Sequence, residues 1–256
     1  MEEQHLLYRV HEKVGYITIN REQQRNAITA EAVALFHRYL DKAEKDDGVR
    51  ALMVTGAGEK AFCTGAQLGT GVTAEGVDVF SSYADLLRRL AEFPRPTVGR
   101  VKGYCLAGGM GFMLACDIVI ASDDAQFGTP EVNVGLWPMM IGALIFRNVP
   151  RKKAMEMILL GERISAAAAL DMGLITRVVP AAALDDEVGK VLAALTAKSP
   201  IGMKIGKQAF AGAERLPLGE ALAYLSEKLK EVVATEDAKE GITAFIEKRT
   251  PNFTGK

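Results

Sequence analysis

The chain has 256 residues, 49% of them hydrophobic and 25% charged, which is the composition of a globular protein long enough to bury its own core. Its 31 Lys and Arg residues against 32 Asp and Glu residues give a net charge of -1, which argues against a general nucleic-acid binder. No run of about 18 apolar residues predicts a membrane helix, and the acidic N-terminus lacks a secretory signal pattern, so we expect a cytoplasmic protein without a membrane partner.

The first half of the chain alternates strand and helix patterns. Strands are predicted over 15–20, 51–55, 97–102 and 117–121, and helices over a segment opened by Thr29, over 80–93 and over 112–116. After Pro138 the strand patterns fade, and helices are predicted near 152–160, 166–172, 182–198, 201–213, 218–234 and 235–248. This order predicts an α/β protein with a largely parallel, covered sheet and a helical region after it.

Cysteine and histidine are too sparse to carry the chemistry. The three cysteines have no CxxC spacing, and the three histidines, the last of them His37, all lie near the N-terminus. We therefore expect no disulfide framework, no metal site and no histidine-dependent nucleophile. The composition favours chemistry by carboxylates and backbone dipoles.

Two segments combine small residues with the exit from a predicted strand: KAFCTGAQL at 60–68 and GYCLAGGMG at 103–111. Small residues let backbone N–H groups approach a ligand closely, and a glycine pair that opens a helix leaves N–H groups free. One donor from each segment could hold a developing oxyanion. The same glycines also fit tight turns without any function, and spacing alone leaves both interpretations open.

A third segment, QFGTPE at 126–131, ends in a carboxylate after an apolar stretch. Glu131 could be a general base with a raised pKa, or a solvated or capping residue. Other nucleotide and hydrolase signatures fail. GMKIGK at 202–207 has one residue too few for a phosphate loop, and the chain has no G-x-S-x-G elbow.

Together these segments resemble the crotonase superfamily, the enoyl-CoA hydratases and isomerases. The matching stretches also include VKGYCLAGGMGFMLACDIVIAS, AQFGTPEVNVGLWP, LLGERISAAAALDMGLITRVVP and EGITAFIEKR, and they run in the family's order over about residues 14–253. The resemblance implies a spiral core of repeated ββα units, expected over residues 1–195. It implies a helical C-terminal region at 196–256 that builds a homotrimer or a dimer of trimers. It also implies an acyl-CoA substrate, with coenzyme A as part of that substrate and no separate cofactor.

The resemblance also implies site residues. By motif alignment, the two N–H groups of the family's oxyanion hole belong here to Ala66 and Gly108, and a family glutamate that acts as acid and base matches Glu131. Lys60 is expected near a phosphate of coenzyme A, and Lys248 or Arg249 to reach coenzyme A from the last helix. The residues expected to bind substrate are Lys60, Cys63, Thr64, Gly65, Gln67, Leu68, Gly109, Gly111 and Pro130. Candidates for the acyl-tail pocket, which also fit an ordinary core, are Tyr83, Leu86, Trp137, Met139 and Phe146.

The sequence departs from the hydratases of this family at one catalytic position. One glutamate of their pair corresponds to Gly111, which we expect to make that side of the site roomier and less polar. Losing one of two cooperating carboxylates costs about 10²–10⁴ in rate, whereas moving a double bond from position 3,4 to 2,3 needs only one base. The sequence therefore favours Δ3-Δ2-enoyl-CoA isomerisation with Glu131 as the single acid/base. A hydratase whose second acid comes from the 69–78 loop, and a non-catalytic acyl-CoA-binding protein, are the alternatives.

Overall fold

The computed structural model describes residues 4–66 and 78–256. Gln67 and Leu68, both predicted to bind substrate, lie outside the described residues, as does the 69–78 loop except for Asp78. The strands are β1 Leu6–His11, β2 Val14–Ile19, β3 Ala51–Gly56, β4 Ala61–Cys63, β5 Thr97–Val101, β6 Tyr104–Leu106, β7 Ile118–Ser122, β8 Gln126–Gly128, β9 Ile164–Ser165 and β10 Arg177–Val179. The helices are α1 Ala30–Lys45, α2 Val79–Ala91, α3 Gly108–Leu114, α4 Met139–Asn148, α5 Arg151–Leu160, α6 Ala166–Asp171, α7 Leu184–Thr196, α8 Pro200–Ala213, α9 Leu218–Val233 and α10 Glu236–Glu247.

The strands form two sheets, and the α/β class predicted from the sequence is confirmed. The large sheet has the order β1-β2-β3-β5-β7-β10 and the small sheet β4-β6-β8-β9. Only β1 in the large sheet and β9 in the small sheet, among the described strands, run antiparallel to their neighbours. The chain supplies the two sheets in turn, β3 then β4, β5 then β6, β7 then β8, and α2 and α3 separate these pairs. This repeat is the expected spiral of ββα units, and it sets β4, β6 and β8 side by side in the same direction.

Both faces of the large sheet are covered, as a parallel sheet requires. The main core lies against α1, α2 and α3, and its fully buried side chains include Phe36, Phe62 and Phe112. On the opposite face a second cluster joins α7, through residues such as Val188, to β-strand residues such as Met53. Each of β4, β6 and β8 directly follows a strand of this packed large sheet in the chain, so the large sheet positions the strands of the small sheet.

Among the described strands and helices, seven are not predicted from the sequence patterns: β1, β4, β6, β8, β9, β10 and α4. β1 has only Leu6 buried, so it shows no alternation, and β9 and β10 have two and three residues. α4 has no side-chain cap at its N-terminus. The fading patterns suggested that the strands end before Pro138. This is wrong, because β10 lies after Pro138 and pairs with β7 in the large sheet.

The C-terminal helices are tied to the core by polar contacts. Nζ of Lys207 pairs with Asp117 and donates to the carbonyl oxygen of Arg95 at 3.0 Å. Because residues 202–207 lie within α8, the phosphate-loop alternative is excluded. The carboxylate of Asp237, which is buried, accepts hydrogen bonds from the hydroxyl of Ser199 at 2.7 Å and from the backbone N–H of Thr254 at 2.7 Å.

No helix within 4–66 and 78–256 is long and apolar enough to cross a membrane. The cytoplasmic location and the division of the chain at residue 195 stay predictions.

Candidate active site

Three strands of the small sheet carry the three predicted catalytic groups at the same edge. β4 ends at Cys63, β6 at Leu106 and β8 at Gly128, and Ala66, Gly108 and Glu131 follow within three residues of those ends. Since β4, β6 and β8 are parallel neighbours, their carboxyl ends meet at one edge of the sheet. The backbone N–H of Ala107 donates to the carbonyl oxygen of Gly128 at 2.9 Å, which holds the second and third loops together.

The backbone N–H groups of Ala66 and Gly108 lie close to each other. A Cβ atom placed on Gly108 would be 3.7 Å from the backbone nitrogen of Ala66. Gly108 is the first residue of α3, so its N–H has no acceptor within the helix. Neither N–H donates a hydrogen bond among the residues that the structure describes. Two neighbouring unused donors of this kind can hold an oxygen that gains negative charge.

Glycine is required where these two loops approach each other. Gly65 has a φ of +99°, and a Cβ atom there would be 2.7 Å from Cβ of Ala107. A Cβ atom on Gly109 would be 2.2 Å from the carbonyl oxygen of Cys63. The glycines therefore do more than form turns, because any side chain at 65 or 109 would force the loops apart.

Glu131 lies in a 3₁₀ turn, Pro130–Val134, which Pro130 begins and Gly135 ends in a left-handed conformation. Its Oε2 atom is buried and has no hydrogen-bond partner in the described part of the chain. Burial raises the pKa of this carboxyl above its ordinary value of 4.5. A buried carboxylate oxygen without a described partner costs stability, so its presence near the N–H groups of Ala66 and Gly108 indicates function.

The expectation that Gly111 makes the site roomier is wrong. A Cβ atom on Gly111 would be 2.4 Å from the hydroxyl oxygen of Tyr83, 2.9 Å from Cγ2 of Ile141 and 3.0 Å from Cδ1 of Leu87. The volume that a larger residue would use is therefore already filled by α2 and α4. The polar atom in that volume is the hydroxyl oxygen of Tyr83. From the sequence, Tyr83 was a candidate only for the acyl-tail pocket or the core.

The other residues predicted to bind substrate differ in burial and in their distance along the chain from this edge of the sheet. Thr64 donates its hydroxyl to the carbonyl oxygen of Arg25 at 3.2 Å. Cys63 is fully buried, and burial raises the pKa of its thiol to about 12, so it contributes packing and not a thiolate. Lys60 is exposed and precedes β4, so it lies at the opposite end of that strand from Ala66.

Several candidates from outside these motifs lie elsewhere. Arg249 forms ion pairs with Glu240 and Glu247, so its guanidinium is engaged within the chain and the expectation that it reaches coenzyme A is not supported. Asp78 caps α2, where its carboxylate accepts from the backbone N–H groups of Phe80 and Ser81.

The tail-pocket candidates divide between core and surface. Leu86 is fully buried in the core, whereas Met139 is 70% exposed. Trp137 and Phe146 are also exposed. No group of three His, Cys, Asp or Glu residues within 4–66 and 78–256 could hold a metal ion.

Comparisons with known proteins identify the family of this chain. The family model described as Enoyl-CoA hydratase/isomerase matches residues 9–256. The short-chain-enoyl-CoA hydratase of Clostridium acetobutylicum is 34% identical over 241 residues, which is 93% of this chain and 92% of that protein. The crystal structure of an enoyl-CoA hydratase from Bacillus anthracis superimposes with a TM-score of 0.93 at 30% identity and covers 99% of this chain and 100% of that one.

A human structure, that of enoyl coenzyme A hydratase domain-containing protein 3, gives a TM-score of 0.92 at 30% identity, with 97% of this chain and 100% of that chain covered. The resemblance stated from the motifs is thus confirmed over nearly the whole length, in sequence and in three dimensions. The chain has the crotonase fold and is an enzyme of the enoyl-CoA hydratase/isomerase family.

Proposed function

We propose that this enzyme converts 3-enoyl-CoA thioesters into 2-enoyl-CoA thioesters, with Glu131 as its single acid/base. The thioester oxygen binds between the backbone N–H groups of Ala66 and Gly108. Coenzyme A belongs to the substrate, and no separate cofactor is proposed.

The reaction needs one proton to leave and return. The Glu131 carboxylate removes a proton from C2, and the electron pair spreads over a dienolate whose negative charge falls largely on the thioester oxygen. The two N–H donors stabilise that charge, and removal of one such donor has cost about 3–4 kcal/mol in other enzymes. Glu131 then returns the proton to C4, which leaves the double bond between C2 and C3. No water is consumed and no second acid takes part.

The observation that carries this proposal is the contrast between Glu131 and Gly111. The site presents the half-buried carboxylate of Glu131, whose Oε2 atom is buried and has no hydrogen-bond partner among the described residues. The volume beside Gly111 is closed by Tyr83, Ile141 and Leu87. A raised pKa suits Glu131 to both halves of the transfer, since a base must also be able to give the proton back.

Hydration of 2-enoyl-CoA thioesters is the second candidate, because the relatives and structures named above are called hydratases. Hydration would require a second group that holds and activates water. In this chain that group would have to come from residues such as those of the 69–77 segment.

The two reactions are separated by adding purified enzyme to a 3-enoyl-CoA and, separately, to a 2-enoyl-CoA. We expect the conjugated-thioester absorbance to appear from the 3-enoyl substrate and to stay constant with the 2-enoyl substrate. Loss of absorbance from the 2-enoyl substrate, without conversion of the 3-enoyl substrate, would contradict the proposal and support hydration. No change with either substrate would contradict both.

Substrate binding is proposed to use the loops around the two donors. Thr64, Gly65, Gly109 and Pro130 adjoin the reacting thioester through their position next to Ala66, Gly108 and Glu131. The exposed Lys60, at the far end of β4, suits a phosphate at the distant end of the long coenzyme.

A trimer or dimer of trimers is proposed from the exposed surface of the last three helices. The large exposed apolar side chains there are Phe210, Leu218, Leu222, Leu229, Val233, Ile242, Phe245 and Ile246. We expect analytical ultracentrifugation to give three or six times the chain mass of 27.6 kDa. Phe245→Glu is expected to lower that mass, because Phe245 is 85% exposed in the single chain and a buried charge would weaken its packing. A wild-type protein that sediments as a monomer would contradict this.

A further inference from the structure

Tyr83 is a buried tyrosine that the reaction described above does not use. Its ring packs edge-on against Phe112, with the ring centroids 5.5 Å apart at 89°, and its exposed fraction is 9%. Its hydroxyl lies where a side chain on Gly111 would begin, since a Cβ atom there would be 2.4 Å away. The phenol therefore stands inside the site and not behind it.

The hydroxyl of Tyr83 is bonded to the residue that supplies one of the two oxyanion donors. It donates a hydrogen bond to the carbonyl oxygen of Gly108. It also lies beside the face of Gly108 that is turned toward Ala66, because a Cβ atom on Gly108 would be 3.4 Å from the Tyr83 hydroxyl and 3.7 Å from the Ala66 nitrogen. The tyrosine thus holds Gly108 on the side where the two donors meet.

The backbone that leads into Gly108 needs such support. Ala107 has a φ of +49° and a ψ of −135°, a conformation that residues with a Cβ atom rarely adopt. Strain of this kind persists only where the surroundings fix it. Two hydrogen bonds fix this conformation. The N–H of Ala107 itself donates to the carbonyl oxygen of Gly128, and the carbonyl oxygen of the next residue, Gly108, accepts from the Tyr83 hydroxyl.

The hydroxyl also stays uncharged. Burial raises the pKa of Tyr83 well above its ordinary value, and the neighbouring Cys63 and Glu131 add to that rise. A neutral hydroxyl can keep donating its proton to Gly108 while Glu131 and the substrate exchange charge beside it.

We propose that Tyr83 is a positioning residue, whose hydroxyl holds the Gly108 backbone so that the Gly108 N–H meets the thioester oxygen. This inference rests on the proposed function for the assignment of Gly108 to the oxyanion hole. In this role the Tyr83 hydroxyl, which lies next to Gly111, acts on the reaction through the Gly108 backbone.

Tyr83→Phe tests this role, with Tyr39→Phe as the matched control. Tyr39 is also 9% exposed and also donates its hydroxyl to a backbone carbonyl oxygen, that of Leu6, at 3.3 Å. The readouts are exchange of the C2 protons of butyryl-CoA in D₂O, followed by NMR, the kcat and KM for a 3-enoyl-CoA, and the melting temperature. Proton exchange requires only the base and the oxyanion donors, so it does not depend on whether the enzyme isomerises or hydrates.

We expect Tyr83→Phe to lower the exchange rate and kcat by about tenfold or more, since small misplacements of catalytic groups and loss of oxyanion donors have effects of that order or larger. KM should stay within about threefold, because an oxyanion donor contributes mainly to the transition state. Tyr39→Phe should leave exchange unchanged while lowering the melting temperature to a similar extent. If Tyr83→Phe does not fold, Gly111→Ala replaces it, because its methyl group must displace the Tyr83 hydroxyl, and the same loss is expected.

Exchange by Tyr83→Phe, or by Gly111→Ala, within about twofold of wild type would overturn the role of Tyr83 while leaving the proposed function intact. Absence of exchange in the wild-type enzyme would overturn the proposed function, and the role of Tyr83 with it. Exchange without isomerisation in the wild type would overturn only the proposed reaction. The exchange rate of Tyr83→Phe would still test the role of Tyr83.

Discussion

Glu131→Gln should abolish turnover while acyl-CoA affinity stays nearly intact. The substitution keeps the size of the side chain but removes the base, and loss of a general acid/base costs about 10²–10⁴ in rate. Measurements of kcat and of butyryl-CoA binding by calorimetry check the two parts separately. Glu162→Gln, on the exposed surface, is the control and should retain wild-type turnover. Unchanged turnover in Glu131→Gln would remove this residue from the mechanism.

The same variant should be more stable than the wild type at neutral pH. Because burial raises the pKa of Glu131, the folded state binds the proton more tightly than the unfolded state. The free energy of unfolding of the wild type therefore falls as pH rises from the ordinary carboxyl pKa through the raised one. The uncharged amide of the variant carries no such cost, so its melting temperature should exceed that of the wild type at neutral pH.

The pH at which this difference appears is itself a test. The two melting temperatures should coincide below the ordinary carboxyl pKa of 4.5, where Glu131 is protonated in both states, diverge between 4.5 and the raised pKa, and differ by a constant amount above it. Turnover of the wild type should rise with pH through that raised pKa, because the base must be ionised to remove the C2 proton. A turnover midpoint at or below 4.5 would contradict the buried position of this carboxyl.

Gly111→Glu should destabilise the protein and should not create a hydratase. Its Cβ atom alone would meet Tyr83, Ile141 and Leu87 at 3.0 Å or less, so the helix α3 or these neighbours must move. Overpacking typically costs about 1–3 kcal/mol, and burial of an unpaired carboxylate adds to that. Denaturant unfolding and a 2-enoyl-CoA hydration assay measure the two outcomes.

Gly189→Glu is the matched control for that substitution. Gly189 lies within α7, is exposed, and has no described atom within 4 Å of an added Cβ. We expect its stability to stay close to that of the wild type. If Gly111→Glu were as stable as this control and gained hydratase activity, the prediction would be contradicted. Tyr83 and its neighbours would then be able to move and accommodate a second carboxylate.

The sequence predicted the well-capped helices because their signals are local. Thr29, Ser165 and Thr235 stand at the starts of three of the predicted helices, and the side chain of each accepts a hydrogen bond from the backbone N–H three residues later. The edge strand β1 and the three-residue β10 were missed, because an exposed or very short strand has no apolar alternation. Their pairing depends on neighbours that lie far away in the chain.

For the site, the resemblance to the crotonase superfamily assigned Ala66, Gly108 and Glu131, because the motifs that carry it are short and local, whereas spacing alone left the roles of these residues open. Only the tertiary structure decided what stands beside them. Tyr83 is 25 residues from Gly108, and nothing in the spacing of α2 distinguishes it from a core aromatic residue. A glycine in a sequence shows that a side chain is missing, but whether the freed volume is open or filled depends on packing between distant helices. At Gly111 that packing closes the site.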